Sequence, residues 1–116
     1  YPEYRAFCQN RVLRNIVLFH HERFDGKGYP LHLAGADIPL ESRLMALVDV
    51  YDAMVSPRCY KESYTSKSVA EYIMDMRESF FDPDIADIFW TIRQDFFILT
   101  EKNLRQMQDS LSSRIL

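Results

Sequence analysis

Long hydrophobic runs are missing from these 116 residues. No stretch approaches the roughly 18 to 20 apolar residues that a membrane span needs. Charge of one sign is missing too. The formal net charge is −3 with acids and bases interspersed, which leaves no basic stripe for DNA or RNA. Cysteine is scarce: Cys8 and Cys59 sit in unrelated segments without CxxC spacing, as free thiols in a reducing, cytoplasmic setting would. The opening YPEYRAFCQN has neither a basic start nor an apolar core, so it is no signal peptide, and no initiator Met precedes it. Tyr1 is therefore expected to be an internal cut, with residues of the same domain upstream. Hydrophobic residues are plentiful, at 47% of the chain, enough for one compact core.

The pattern along the chain is helical. Residues 3 to about 21 carry apolar rows at helical spacing, with Cys8, Val12 and Ile16 leading to His20, and Leu13 and Val17 to His21. Both rings are therefore expected to face inward. Residues 22 to 39 hold three glycines and two prolines, too many breakers for a regular element. LESRLMALVDVYDAMV, residues 40 to 55, is apolar nearly all round after its first turn, as a helix sunk in a core would be, and Pro57 ends it. Thr65 reads as the N-cap of a helix over SKSVAEYIMDMRES, and Asp82 before Pro83 as the start of the next. In the tail, Phe97, Leu104, Met107 and Leu111 lie close to an a/d seam, long enough to dock on the domain or a partner. No strand alternation, repeat or low-complexity segment emerges. The class is all-α.

Two features call for chemistry. Consecutive His20 and His21 point about 100° apart on a helix, so both can flank one site. Imidazole is a common ligand of first-row metals, although an inward histidine is more often a core residue with a hydrogen-bond partner. Asp49 and Asp52 interrupt the apolar run, where an unpaired carboxylate costs several kcal/mol. Pairing with Arg43 or Arg58 would satisfy them, and so would a metal opposite the histidines. Residue pattern alone leaves both readings open. His32 lies in the breaker-rich loop and reads as a solvated surface residue.

HHERFDGKGYP, residues 20 to 30, resembles the signature of HD-GYP domains, bacterial phosphodiesterases of the HD superfamily that hydrolyse cyclic di-GMP. The likeness continues through IPLESRLMALVDVYDAMVSPRCYK, residues 38 to 61, and FFDPDIADIF, residues 80 to 89. Three ordered blocks over about residues 16 to 90 make it specific. The resemblance implies a helical HD-superfamily domain, of which this chain is the C-terminal portion with the GYP loop. Residues 1–96 would form that portion and 97–116 an amphipathic tail helix. It implies His20, His21 and Asp49 as metal ligands at a di- or trinuclear iron or manganese site. Gly28, Tyr29 and Pro30 would shape the loop over the substrate, while Arg58 and Lys61 would contact the phosphates of cyclic di-GMP. Asp52 would be structural, Asp25 and Gly26 turn-formers, and Asp82 a helix cap.

The family also carries a His-Asp dyad followed by lysine, and this sequence contains no such pair. Its histidines, at 20, 21 and 32, leave none for the remaining ligands. Tyr1-Pro2-Glu3 is faintly similar to a His-Pro start of that region, with Tyr in the ligand position. Cys59 stands where proline is usual, and Arg77-Glu78-Ser79 where glycine is favoured. The expected function is thus metal-dependent hydrolysis of cyclic di-GMP in bacterial signalling, active only with the upstream half of the domain. The alternative is a catalytically degenerate module that binds cyclic di-GMP or partner signalling domains. A plain helical interaction domain would leave the paired histidines and the acids unexplained. Expected partners are an upstream receiver or sensor domain, diguanylate-cyclase-type domains and a second copy through the tail helix. The setting is cytoplasmic, with membrane tethering of the parent left open.

Overall fold

The computed structural model describes residues 5, 6, 9–56 and 65–115, with backbone alone at 108 and 111–115. Tyr1, Pro2, Glu3, Cys8, Pro57, Arg58, Cys59 and Lys61 lie outside the described residues, as does the Leu111 side chain. Among the described residues there are five α-helices and no strand, so the fold is all-α. They are α1 (Arg11–Phe19), α2 (Leu40–Val55), α3 (Ser66–Asp75), α4 (Pro83–Thr91) and α5 (Arg93–Ile115). A short 3-10 turn, Gly35–Asp37, leads into α2.

The first helix is shorter than its apolar rows suggest. Arg5, Ala6 and Gln9 are helical, but α1 restarts at Arg11 because the Asn10 side chain accepts the Leu13 N–H at 3.0 Å, an N-cap bond. It ends at Phe19, so His20 caps the helix and His21 begins the turn beyond it. The caps of α3 and α4 are as expected. Thr65 accepts from the Ser68 N–H at 3.1 Å, and Asp82 from the Asp84 N–H at 2.8 Å, with Pro83 in the first turn. Helix α3 stops at Asp75, short of Ser79, because the Met76 N–H folds back onto carbonyls of the last turn.

The core forms where α2, α3 and α4 meet: Leu47, Tyr51 and Val55, then Val69, Ala70 and Ile73, then Ile85, Ala86 and Phe89, with Phe81 added from the connection before α4. Each set repeats at helical spacing and gives its element one buried stripe. Phe96 joins at the start of α5, its ring edge-on to Tyr51 at 5.3 Å and to Phe89 at 5.0 Å. Further along α5, the Thr100 hydroxyl meets the Tyr51 hydroxyl at 2.7 Å. Phe97 and Leu104 are half-buried and Met107 is exposed, so the first part of the tail seam docks on the domain. Helix α5 runs unbroken through residues 96 and 97.

Helix α2 is not sunk on all sides. Leu40 and Leu44 are 60% and 51% exposed, and Asp49 and Asp52 are exposed as well. The stripe containing Leu47, Tyr51 and Val55 faces the core, and the first turn packs on α1, where buried Ser42 donates to the Asn15 carbonyl at 2.7 Å. The two acids therefore escape the desolvation cost expected of them, and neither forms an ion pair among the described residues. Arg43 does not serve them. Its Nη1 binds Asp82 at 2.5 Å and its Nε donates to the Ile38 carbonyl at 2.9 Å, tying the loop exit and α2 to the start of α4.

Candidate functional site

The loop after α1 is built around Glu22. Its side chain is almost wholly enclosed, at 3% exposure, and its two carboxylate oxygens accept the Leu31 N–H at 2.5 Å and the Leu33 N–H at 2.7 Å. Those bonds close the segment carrying Gly28, Tyr29 and Pro30 back onto the end of α1. Gly28 permits the closure. A Cβ there would lie 2.4 Å from the Arg23 nitrogen and 2.5 Å from the His21 oxygen, both backbone atoms that cannot step aside. Asp25 and Gly26 form the turn as expected: Asp25 accepts the Lys27 N–H at 2.9 Å, and Gly26 has φ of 82°.

Arg23 pins this loop to the α3–α4 connection. Its guanidinium lies 3.7 Å from the Phe80 ring centre and pairs with Asp25 at 2.7 Å. The backbone adds Phe24 N–H to the Phe80 carbonyl and Asp25 N–H to the Ser79 carbonyl, at 3.2 and 2.9 Å. Between the loop, this connection and α2 lies a cleft of about 320 Å³. His20, His21 and Asp49 all line it, as do Gly28 and Tyr29. Pro30 is exposed beside it and is not part of its wall, and His32 stands apart, exposed, with φ of 57°. Asp52 faces another groove, about 560 Å³, between α2 and α5.

The histidines are prepared differently. His20 is half-buried, and its Nδ1 sits 2.7 Å from the Ile16 carbonyl. A carbonyl only accepts, so Nδ1 carries a proton, and in the neutral ring Nε2 then holds the lone pair, the tautomer a ligating histidine needs. His21 is exposed, contrary to the inward placement its apolar row suggests, because it lies past the helix end. Its ring stacks on Tyr29 at 5.0 Å and lies 4.0 Å from His20. Two imidazoles and a carboxylate suit iron or manganese by donor type. Among the described residues, however, no three His, Cys, Asp or Glu side chains gather closely enough to hold one ion. His20, His21 and Asp49 line one cleft without gathering at one point.

Residue pattern overlooked Glu22 and Arg23. The partners of Glu22 lie nine and eleven residues on, and Phe80 lies far along the chain from Arg23, so no local spacing marks either role. The only cue was an acid and a base directly after paired histidines.

Residues 9–85 match the HD domain family. The chain belongs to that family. It is 46% identical over 91 residues to a probable cyclic di-GMP phosphodiesterase of Vibrio cholerae, an alignment covering 78% of this chain and 21% of that protein. It is 46% identical over 82 residues to the cyclic di-GMP phosphodiesterase response regulator RpfG of Xanthomonas campestris pv. campestris, covering 68% of this chain and 22% of that one. A 3'3'-cGAMP-specific phosphodiesterase 2 of Vibrio cholerae is 37% identical over 78 residues, covering 67% and 15%. This HD domain is of the HD-GYP type, as those relatives and its motif blocks together show. The chain spans about a fifth of the length of the curated relatives it matches. Among the described residues no helix is long and apolar enough to cross a membrane.

Proposed function

We propose that this chain is part of a metal-dependent phosphodiesterase that hydrolyses cyclic di-GMP in bacterial signalling. The observation that carries the reading is the single cleft that brings His20 and His21, from the end of α1, to Asp49 of α2 beneath the GYP loop. These three residues serve as ligands for iron or manganese, and residues upstream of Tyr1 supply the rest of the shell. Such ions, when bound, furnish a nucleophile from water and neutralise charge at the scissile phosphodiester. The chain's own work is positioning. The Ile16 carbonyl fixes the His20 ring, Glu22 and Gly28 hold the loop closed, and Tyr29 borders the space above the histidines. Gly28, Tyr29 and Pro30 shape the substrate loop, and Arg58 and Lys61 contact the phosphates through the geometry guanidinium and ammonium groups favour.

In this reading the parent protein acts in the cytoplasm, takes its input from an upstream receiver or sensor domain, and meets diguanylate-cyclase-type domains. Helix α5 offers a surface for pairing with a second copy.

The test is hydrolysis by the full-length gene product, loaded with iron or manganese under reducing conditions. Conversion of cyclic di-GMP to a linear dinucleotide supports the proposal, and uncut substrate refutes it. The incomplete donor set favours one second reading, a degenerate module that binds cyclic di-GMP without cleaving it. Salt-sensitive binding with no turnover in the same experiment would select that reading instead.

A further inference from the structure

Two cations line the histidine cleft, Arg23 and Lys27, and they stand in different situations. The Arg23 guanidinium is occupied by Asp25 on one side and by the Phe80 ring beneath it. The Lys27 ammonium makes no ion pair or side-chain hydrogen bond among the described residues, and the side chain is exposed. Its backbone, by contrast, is fixed. The Lys27 N–H donates to Asp25 at 2.9 Å, and the next residue is the sterically locked Gly28. A flexible stem carrying an uncommitted point charge therefore rises from a rigid base at the wall of the cleft.

The acids around that wall also differ. Asp25 is paired with Arg23 and buried Glu22 with two backbone N–H groups, whereas exposed Asp49 has no cationic partner among the described residues. Lys27 lines the same cleft as Asp49 and brings a positive charge to it.

We infer that Lys27 is a substrate-binding residue whose ammonium contacts a phosphate oxygen of the cyclic dinucleotide at the cleft mouth. It governs affinity and takes no part in the bond-breaking step. The inference rests on the phosphodiesterase reading above, and the test separates the two.

The full-length gene product is compared with its Lys27→Gln and Lys27→Arg variants in steady-state hydrolysis of cyclic di-GMP at low and high salt. Lys27→Gln is expected to raise KM roughly five- to tenfold and to leave kcat within about twofold, as loss of one partly exposed charged contact does. Lys27→Arg restores most of the affinity, and the difference shrinks as salt rises. Metal content and thermal unfolding stay at wild-type values, because the side chain supports nothing else among the described residues. An unchanged KM overturns the inference, and so does a fall in kcat at constant KM. If the wild type fails to cleave cyclic di-GMP, the phosphodiesterase reading fails, and equilibrium binding of cyclic di-GMP decides about Lys27. Weaker binding by Lys27→Gln then upholds it. Equal binding, or none by the wild type, removes it.

Discussion

At the scale of single residues, Glu22 and Gly28 carry the loop that covers the cleft. Glu22 is buried and gives both oxygens to backbone donors. Replacing it with Ala strands the Leu31 and Leu33 N–H groups and should cost about 3 kcal/mol, from two charge-assisted bonds whose donors then regain some water. Gly28→Ala drives a Cβ into backbone at 2.4 Å, and we predict a loss of about 3 kcal/mol, in the range of severe single substitutions. Urea midpoints at constant slope would measure both, and a change under about 0.5 kcal/mol in either would contradict this account of the loop. The two residues differ in how far sequence reveals them. Gly28 stands inside a recognisable GYP block with a breaker on each side. The partners of Glu22 are set by the path of the loop, which no periodicity encodes.

At the scale of elements, the joint between α2 and α4 depends on Asp82. Its Oδ1 caps α4, and its Oδ2 receives Arg43, in a residue 6% exposed. Asp82→Ala removes the cap and leaves a partly buried guanidinium unpaired, an expected loss of about 3 to 5 kcal/mol. Asp82→Asn keeps a capping oxygen and should be milder. Equal losses in thermal unfolding would mean that the cap contributes nothing, and wild-type stability in Asp82→Asn would mean the same of the ion pair. A weaker, pH-dependent contribution comes from the surface. The Arg77 guanidinium holds the Asp87 carboxyl below its ordinary range, and the Asn15 amide does the same for Glu41. A carboxyl lowered by folding adds stability that is complete above the unfolded pKa, about 4, and is lost as pH falls through the folded value. Asp87→Asn should therefore narrow the stability gap between pH 7 and pH 3 slightly, and less so at high salt. An unchanged gap at low salt would show the Arg77 pair to be idle. The Asp-Pro start of α4 and the bounds of α2 were legible in the chain, since caps and breakers are local. That Arg43 serves Asp82, 39 residues away, instead of Asp49 or Asp52 was not. The choice is made by how the helices pack.

At the scale of the molecule, the radius of gyration is 16.5 Å, against roughly 13 Å for a compact chain of this length. Helix α1 has no buried residue, although Val12, Leu13, Val17 and Leu18 give it an apolar row, and Leu40 and Leu44 are exposed on α2. These faces, with a cleft where no three donors gather, fit the proposal that the site is completed from outside these residues. We accordingly predict no turnover of cyclic di-GMP by the 116-residue chain alone, and linear product from it would contradict that. The helical class was legible in the apolar spacing, and three motif blocks pointed to the histidine pair and its distant carboxylate. The exposure of Asp49 could not, because an apolar run looks the same whether one side of the helix or every side is covered.

Asp49 allows the cleanest trial of the proposal that it and the two histidines are ligands of one metal centre completed by residues outside this chain. Because its side chain is exposed, Asp49→Ala should leave the fold intact. The measurement is bound iron or manganese per chain in the full-length gene product and in this variant, with helicity followed alongside. A marked loss of metal at unchanged helicity is expected. Wild-type metal content in Asp49→Ala would contradict it and remove the carboxylate from the site.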